Sequence, residues 1–323
     1  MDMKAAYINQ VGDAGEIQFG ELPTPELHED DVLIKVKAVS VNNVDTFVRS
    51  GGFKTNLTFP FVIGRDAVGE VLESGSQVTQ FHAGQLVWTN SMGYDGRQGI
   101  TSEFAAIPAE RLNAVPDGVD PIQLIAAVHS AATAVILLQH HLQLESGQKV
   151  LVEGAAGHVG TKLIQVAHTM GARVLTTSNP NDFDNLKRLG SDKTLDYHGN
   201  WQTSASGVDV IVDTSGKVAL QENVNLLALG GKIGMITTPA DVNATLESRS
   251  FYTTDKQLIG FVISHAELPQ LQVAAKVLND QFAQGNLLDD QVLVKSLSFA
   301  REAHELLQTG GVKEKLVLVP DGK

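Results

Sequence analysis

The sequence predicts an α/β fold, a partly closed β structure joined to a doubly wound parallel sheet, on three observations. Short apolar or alternating runs separated by Gly, Pro and Asp fill the first third of the chain. From about Pro121 strands and helices alternate in units of roughly 30 residues, the spacing that parallel strands need for their crossover connections. Aromatic residues make up only 6% of the chain, against 30 Gly, which suits tight strand-helix turns better than an aromatic-packed sandwich. A length of 323 residues corresponds to about two domains.

In the first part, strands are expected at 4–9, 17–22, 32–39, 67–74, 86–89 and 104–107, with Gly64, Gly69, Gly75 and Gly84 as punctuation. Residues 123–142 read as one or two helices. Then come a strand at 149–153, a helix at 158–170, a strand at 173–177, a helix at 182–189 and a short strand at 194–197. A strand at 208–213, a helix at 218–228 and strands at 232–237 and 258–263 complete the alternation. The segments 268–284, 292–297, 299–307 and 315–319 can return to the β-rich part. Neither an internal repeat nor a low-complexity tract interrupts the chain.

Composition removes several classes of function. With no Cys there is no disulfide framework, no thiolate nucleophile, no Cys-ligated iron-sulfur cluster and no Cys-rich zinc lobe. Catalysis is left to oxygen and nitrogen groups or to a cofactor. A net charge of -13 opposes binding to a phosphate backbone, so nucleic acid is not an expected partner. The N-terminus has no basic stretch leading into an apolar core, and no run approaches the roughly 18 uninterrupted apolar residues of a membrane span. A soluble, unexported, cytoplasmic protein without a membrane partner is expected.

The segment Val150-Leu151-Val152-Glu153-Gly154-Ala155-Ala156-Gly157-His158-Val159-Gly160 places a buried strand, a glycine turn and a helix start in the order that a dinucleotide pyrophosphate requires. Gly157 lets the backbone approach the phosphates, Gly160 allows close helix-strand packing, and the helix start offers free N–H groups. Ala155 stands at the first glycine position of G-x-G-x-x-G, and a crowded strand-helix turn without a ligand has the same glycines. The next strand ends without the Asp or Glu that takes a ribose 2′-hydroxyl. Thr177, Ser178 and Asn179 can instead hydrogen-bond a 2′-phosphate, which favours NADPH, with Lys187 or Arg188 as more distant counter-charges. Ser178-Asn179-Pro180 is equally a plain turn, and Lys187 a solvated helix residue.

Together with Val41-Asn42-Asn43-Val44-Asp45-Thr46-Phe47-Val48-Arg49-Ser50-Gly51, the glycine turn resembles the quinone oxidoreductase branch of the medium-chain dehydrogenase/reductase superfamily. The usual forms there are A-A-G-G-V-G and V-N-x-x-D-x-Y-x-R-x-G. The resemblance runs through Gly64-Arg65-Asp66, Thr133-Ala134, Leu189-Gly190-Ser191-Asp192, Asp213-Thr214-Ser215-Gly216 and Lys315-Leu316-Val317-Leu318. It implies a GroES-like domain at 1–122 and 265–323 with a Rossmann NADP-binding domain at 123–264 between its two parts. Zinc-dependent members carry G-H-E-x2-G-x5-G-x2-V, where this chain has Arg65 and Asp66 in place of His and Glu. Asn42 fills the first Cys position and His129 the third ligand position. One imidazole beside an amide and a guanidinium makes no zinc site, so no metal is expected.

What the resemblance implies is an NADPH:quinone oxidoreductase-like enzyme, zinc-independent, that passes hydride to a quinone or a similar carbonyl-conjugated electrophile. Without a Lewis acid, alcohol oxidation loses its main electrostatic support, whereas such acceptors need less. The implied cofactor contacts are Asn42, Thr133, Gly154, Ala156, Gly157, His158, Val159, Gly160, Ser178, Asn179, Tyr197, Ser215, Gly216, Ile236, Thr237 and Thr238. Catalytic candidates are Asn42, Asp45, Arg65 and Tyr94, each with a plainer role. Asn42 can cap a loop, Asp45 can order that loop, Thr133 can bond its own helix, and Tyr197 can pack at the sheet edge. Phe47 and Phe53 replace aromatic hydroxyls found in many family members, leaving Tyr94 or Arg65 as donors to an acceptor oxygen and suggesting an apolar pocket. Two other readings stand beside this one, an alkenal or enoyl double-bond reductase of the same fold and a non-catalytic NADPH-binding sensor or structural protein. A homodimer joined through the last Rossmann strands is also implied.

Overall fold

The computed structural model describes residues 2–239 and 243–322. The chain starts with β1 (Asp2–Ile8), β2 (Gln18–Pro23), β3 (Asp31–Ser40) and α1 (Asn43–Ser50). It continues through β4 (Phe61–Val62), β5 (Asp66–Ser74), β6 (Leu86–Thr89), β7 (Phe104–Pro108) and β8 (Asn113–Ala114) to α2 (Pro121–Val135). The alternating stretch is β9 (Lys149–Glu153), α3 (His158–Thr169), β10 (Arg173–Ser178), α4 (Phe183–Arg188) and β11 (Lys193–Asp196). It goes on with β12 (Val208–Asp213), α5 (Leu220–Leu226), β13 (Leu227–Met235), α6 (Ser248–Tyr252) and β14 (Gln257–Gly260). The chain closes with α7 (Leu268–Ala283), β15 (Val292–Ser296), α8 (Ala300–Thr309) and β16 (Lys315–Val319). Two compact units emerge, residues 1–129 with 278–323, and residues 130–277.

The first unit holds a three-stranded sheet in the order β2-β1-β4 and a sheet in the order β15-β16-β3-β5-β6-β8, with β7 also paired to β3. β16 is antiparallel to β3 through Val317↔Ser40 and Leu318↔Val39, so the far end of the chain completes the first sheet system. In β3 every second residue from Val32 to Val36 is fully buried, the period of a half-buried strand. Helix α1 was not anticipated as an element, although its signals are present. Asn42 precedes it in extended conformation, the Asp45 carboxylate accepts from the Asn42 backbone N–H at 2.8 Å, and Gly51 ends it at φ +76°.

The second unit is a six-stranded parallel sheet in the order β11-β10-β9-β12-β13-β14. Val150, Leu151 and Val152 of β9 are fully buried, because helices cover both faces of a parallel sheet. Helix α5 ends at Leu226, two residues before the expected end, because β13 starts at Leu227 with an irregular register. The pairs Val208↔Leu227 and Val210↔Lys232 enclose Gly230, whose φ of +73° permits the bulge. β13 then stops at Met235 and β14 at Gly260, which leaves Ile236, Thr237 and Thr238 in the loop after the strand.

Pro121–His141 is a continuous helix of 21 residues, long and apolar enough by length and composition to cross a membrane. Its apolar residues are mostly buried, with Leu124, Ile125, Ala127, Val128 and Ala131 fully so, as in a core helix.

Candidate functional site

In the second unit β9 lies at the centre of the sheet, and the chain leaves it toward β10 on one side and returns to β12 on the other. That reversal is the topological switch point, where open α/β sheets hold ligands beyond the carboxyl ends of their strands. The glycine turn follows β9 there, and Ser215-Gly216 follows β12. Gly154 adopts φ +65°, a conformation that glycine enters without strain. Thr214 locks the turn from β12, its Oγ1 donating to the carbonyls of Glu153 at 2.8 Å and Gly154 at 2.9 Å. At Gly160 a Cβ would stand 2.7 Å from the Ala155 carbonyl oxygen and 2.8 Å from its Cα, so the glycine is dictated by helix-turn packing. Gly157 differs. A Cβ there would meet only the Gly154 carbonyl oxygen, at an ordinary 3.4 Å, and its φ of -76° suits any residue. Internal packing therefore does not explain the bare backbone at the start of α3, where helix N–H groups offer positive potential.

The neighbouring turns are tightly hydrogen-bonded. Asp213 Oδ1 accepts from Ser215 N (2.8 Å), Ser215 Oγ (2.7 Å) and Gly216 N (3.2 Å), and Gly216 has φ +65°. Ser178 is buried at the end of β10, its hydroxyl donating to the Asn179 carbonyl at 3.2 Å, while Asn179 Oδ1 accepts from Asn181 N at 3.0 Å. Both side chains thus serve the Ser178-Asn179-Pro180 turn. Arg188 donates to Asn185 Oδ1, and Lys187 is exposed on α4. Tyr197 is half-exposed just beyond β11, its ring 4.2 Å from that of His198, and Thr133 is buried in α2. Ile236, Thr237 and Thr238 line a cavity of about 580 Å3 together with Phe261 and Val262 beyond β14.

In the first unit Asn42, Asp45, Arg65 and His129 come together around Asp66. Asn42 Nδ2 donates to Asp66 Oδ2 at 2.7 Å, and His129 Nδ1 meets the same oxygen at 2.9 Å. Lys315, fetched from β16, donates its Nζ to Asn42 Oδ1, and Asn42 Nδ2 also reaches Ser40 Oγ at 3.2 Å. The Asn42 amide is therefore engaged at both ends. Arg65 is buried with its Nε 3.9 Å from Asp66 Oδ1. Burial first, then the Asp66 charge, pushes Asp45 up to about 7, with Arg65, the Asn42 N–H and Lys315 acting the other way. Burial likewise holds His129 below the usual histidine range, against the pull of Asp66. Tyr94 packs 5.4 Å ring to ring against Phe53. Phe47 is exposed.

Sequence reasoning missed the joint role of Asp66 and Lys315. Asp66 was legible only as a substituted Glu, and Lys315 lies 273 residues from Asn42. It also passed over Glu153, a carboxyl that ends an apolar buried strand.

The family profile described as "Alcohol dehydrogenase GroES-like domain" matches residues 28–117, and that described as "Zinc-binding dehydrogenase" matches residues 159–276. The chain belongs to the medium-chain dehydrogenase/reductase superfamily. This superfamily member is an oxidoreductase by fold and relatives. It is 28% identical over 309 residues to the quinone oxidoreductase of Sus scrofa, covering 92% of this chain and 91% of the relative. A 2-methylene-furan-3-one reductase of Solanum lycopersicum is 31% identical over 245 residues, covering 73% and 62%. A mycobacterial protein whose structure is complexed with NADPH superposes with a TM-score of 0.83 at 27% identity, covering 98% of this chain and 100% of that one.

Some superfamily members hold zinc, and the donor set here is unsuited to it. Asn42 Oδ1 faces the Lys315 ammonium, Asp66 Oδ2 is taken by Asn42 and His129, and the Arg65 guanidinium adds a second cation. Arg and Lys have no lone pair to give, and these residues do not fit a catalytic zinc. Among the described residues no group of three His, Asp or Glu is placed to hold a metal ion.

Proposed function

We propose that this chain is an NADPH-dependent, zinc-independent oxidoreductase that transfers hydride to a quinone or a similar carbonyl-conjugated electrophile. The observation that carries the cofactor half is Gly157, where no steric crowding inside the protein requires the backbone of a switch-point turn to be bare. The residues present fit a dinucleotide. The turn from Gly154 through Ala156 and Gly157 to His158, Val159 and Gly160 receives the pyrophosphate, and Ser215, Gly216, Ile236, Thr237 and Thr238 line the nicotinamide end. Tyr197 and the turn at Ser178 and Asn179 would meet the adenosine phosphate, the two turn side chains by exchanging their present hydrogen bonds. With no acidic side chain at the end of β10 to claim a 2′-hydroxyl, NADPH is preferred over NADH by about tenfold or more.

When bound, the reduced nicotinamide supplies the hydride. The chain's own part is to align the partners and exclude water, which is enough for an acceptor whose oxygen becomes a stabilised anion. Asn42, Asp45, Arg65, Asp66, His129 and Lys315 form a buried, internally neutralised framework in place of a metal. Thr133 and Tyr94 remain candidate contacts to cofactor and acceptor. A homodimer joined through the edge strand β14 accompanies this reading.

The sequence similarity to a 2-methylene-furan-3-one reductase supports a second reading, reduction of a carbonyl-conjugated double bond. Initial rates with NADPH and NADH against quinones, alkenals, enoyl thioesters and simple alcohols separate the two. Turnover confined to quinones supports the first reading, and turnover confined to alkenals or enoyl thioesters supports the second. NADPH binding without turnover of any acceptor points to a sensor or structural protein and overturns both.

A further inference from the structure

Glu153 is fully buried at the last position of β9, directly before the glycine turn. Its Oε2 accepts from Asn223 Nδ2 of α5 at 2.8 Å. The remaining oxygens of this pair, Glu153 Oε1 and Asn223 Oδ1, are both buried and have no hydrogen-bond partner. Each orphaned acceptor costs about 1–3 kcal/mol. A proton on the carboxyl makes one of its oxygens a donor and removes the charge that burial penalises.

The neighbouring charges favour the same state. Asp213 stands beside Glu153 in the parallel register of β12 and β9, its Oδ1 accepting from three donors of Ser215 and Gly216. Glu222 on the exposed side of α5 adds a second negative charge. Burial, then the Asp213 charge, pushes Glu153 up to about 8, only partly opposed by the Asn223 hydrogen bond. The Glu153 carbonyl meanwhile accepts from Thr214 N at 3.0 Å and Oγ1 at 2.8 Å, which ties its backbone to the turn that leads into α3.

We infer that Glu153 is a positioning residue held as a neutral carboxylic acid, and that loss of its proton weakens dinucleotide binding at the turn it precedes. The inference rests on the reading of that turn as the pyrophosphate site. A carboxylate at the last position of β9, immediately before the turn, opposes the positive potential that attracts phosphate at the start of α3, whereas a carboxylic acid leaves it intact.

The test measures dissociation constants for NADPH and NADH by nicotinamide fluorescence from pH 6.5 to 9.5 at constant ionic strength, in the wild type and Glu153→Gln. A 13C NMR titration of the glutamate carboxyls in the wild-type protein without dinucleotide accompanies it. Wild-type affinity for both dinucleotides is expected to fall about fivefold or more between pH 7 and 9, and that of Glu153→Gln by less than about twofold. Because NADH lacks the 2′-phosphate, a fall shared by both cofactors belongs to the protein. Glu222→Gln, which removes an exposed neighbouring charge, moves the wild-type break to lower pH and serves should Glu153→Gln not fold. A wild-type slope retained in Glu153→Gln, or a Glu153 carboxyl that titrates in the ordinary glutamate range, overturns the inference. Failure of the wild type to bind either dinucleotide at any pH overturns the pyrophosphate reading instead, and the NMR titration still decides the protonation state.

Discussion

Two alanine substitutions three residues apart, Gly160→Ala and Gly157→Ala, should fail in different ways. At Gly160 the new Cβ would stand 2.7–2.8 Å from three backbone atoms of Ala155, none of which can swing aside as a side-chain end would. Such overpacking costs about 1–3 kcal/mol, and replacing a helical glycine by alanine returns at most about 1 kcal/mol. The net loss of about 0–3 kcal/mol, centred near 1–2, lowers Tm by about 2–8 °C at that centre for a unit of this size. At Gly157 the Cβ finds only one atom, at 3.4 Å, so the fold loses no more than the cap preference, about 1 kcal/mol. The methyl does fill the space over the start of α3, and NADPH affinity should drop about tenfold or more, or about 1.4 kcal/mol. Thermal unfolding by circular dichroism and fluorescence titration with NADPH read the two effects on the same samples. If Gly157→Ala binds NADPH as tightly as the wild type, the bare backbone is not cofactor space and the reasoning fails. If Gly160→Ala keeps the wild-type Tm, the contact does not dictate that glycine.

Lys315→Met removes the ammonium from Asn42 and leaves the buried Asp66 and Asp45 carboxyls less neutralised; a loss of about 3 kcal/mol is expected, and a chemical-denaturation midpoint that does not move would refute it. His304 is buried against α1, and burial followed by the Arg49 charge lowers it to about 3. The unfolded chain takes up that proton near 6.5 and the folded chain does not, so stability present above pH 6.5 is lost toward pH 3 at about 1.4 kcal/mol per unit. His304→Gln should therefore lose about 2 kcal/mol less than the wild type between pH 7 and 5 in matched urea titrations, and parallel losses would sink this account. Exhaustive chelation should leave turnover unchanged, with no stoichiometric zinc in the purified protein by elemental analysis. Activity lost on chelation and restored by zinc would overturn the ligand argument.

Much of the fold was legible because it rests on local pattern. The apolar run from Val150 to Val152, the glycines at 154, 157 and 160 and the strand-helix period each express a rule that operates within a few residues. The elements that escaped are those set by partners. α1 is only eight residues long and was legible as a motif rather than a helix, and β13 begins early because Gly230 bulges to keep its register with β12. At the candidate site, the family resemblance already placed Asn42 and Arg65 where zinc-dependent members have metal ligands. Their arrangement around Asp66 could not be read from it.

The sequence by itself determined that a strand, a bare-backboned turn and a helix meet in a doubly wound sheet, and that cysteine chemistry is excluded throughout. It determined as well which residue types stand where zinc-binding relatives hold a metal. Only the tertiary structure decided that Lys315, fetched by the antiparallel pairing of β16 with β3, neutralises that cluster, and that Glu153 lies buried beside Asp213. The reason is physical. Periodicity and glycine placement act through the backbone's near neighbours, whereas charge balance and burial depend on strands that only the folded sheet brings side by side.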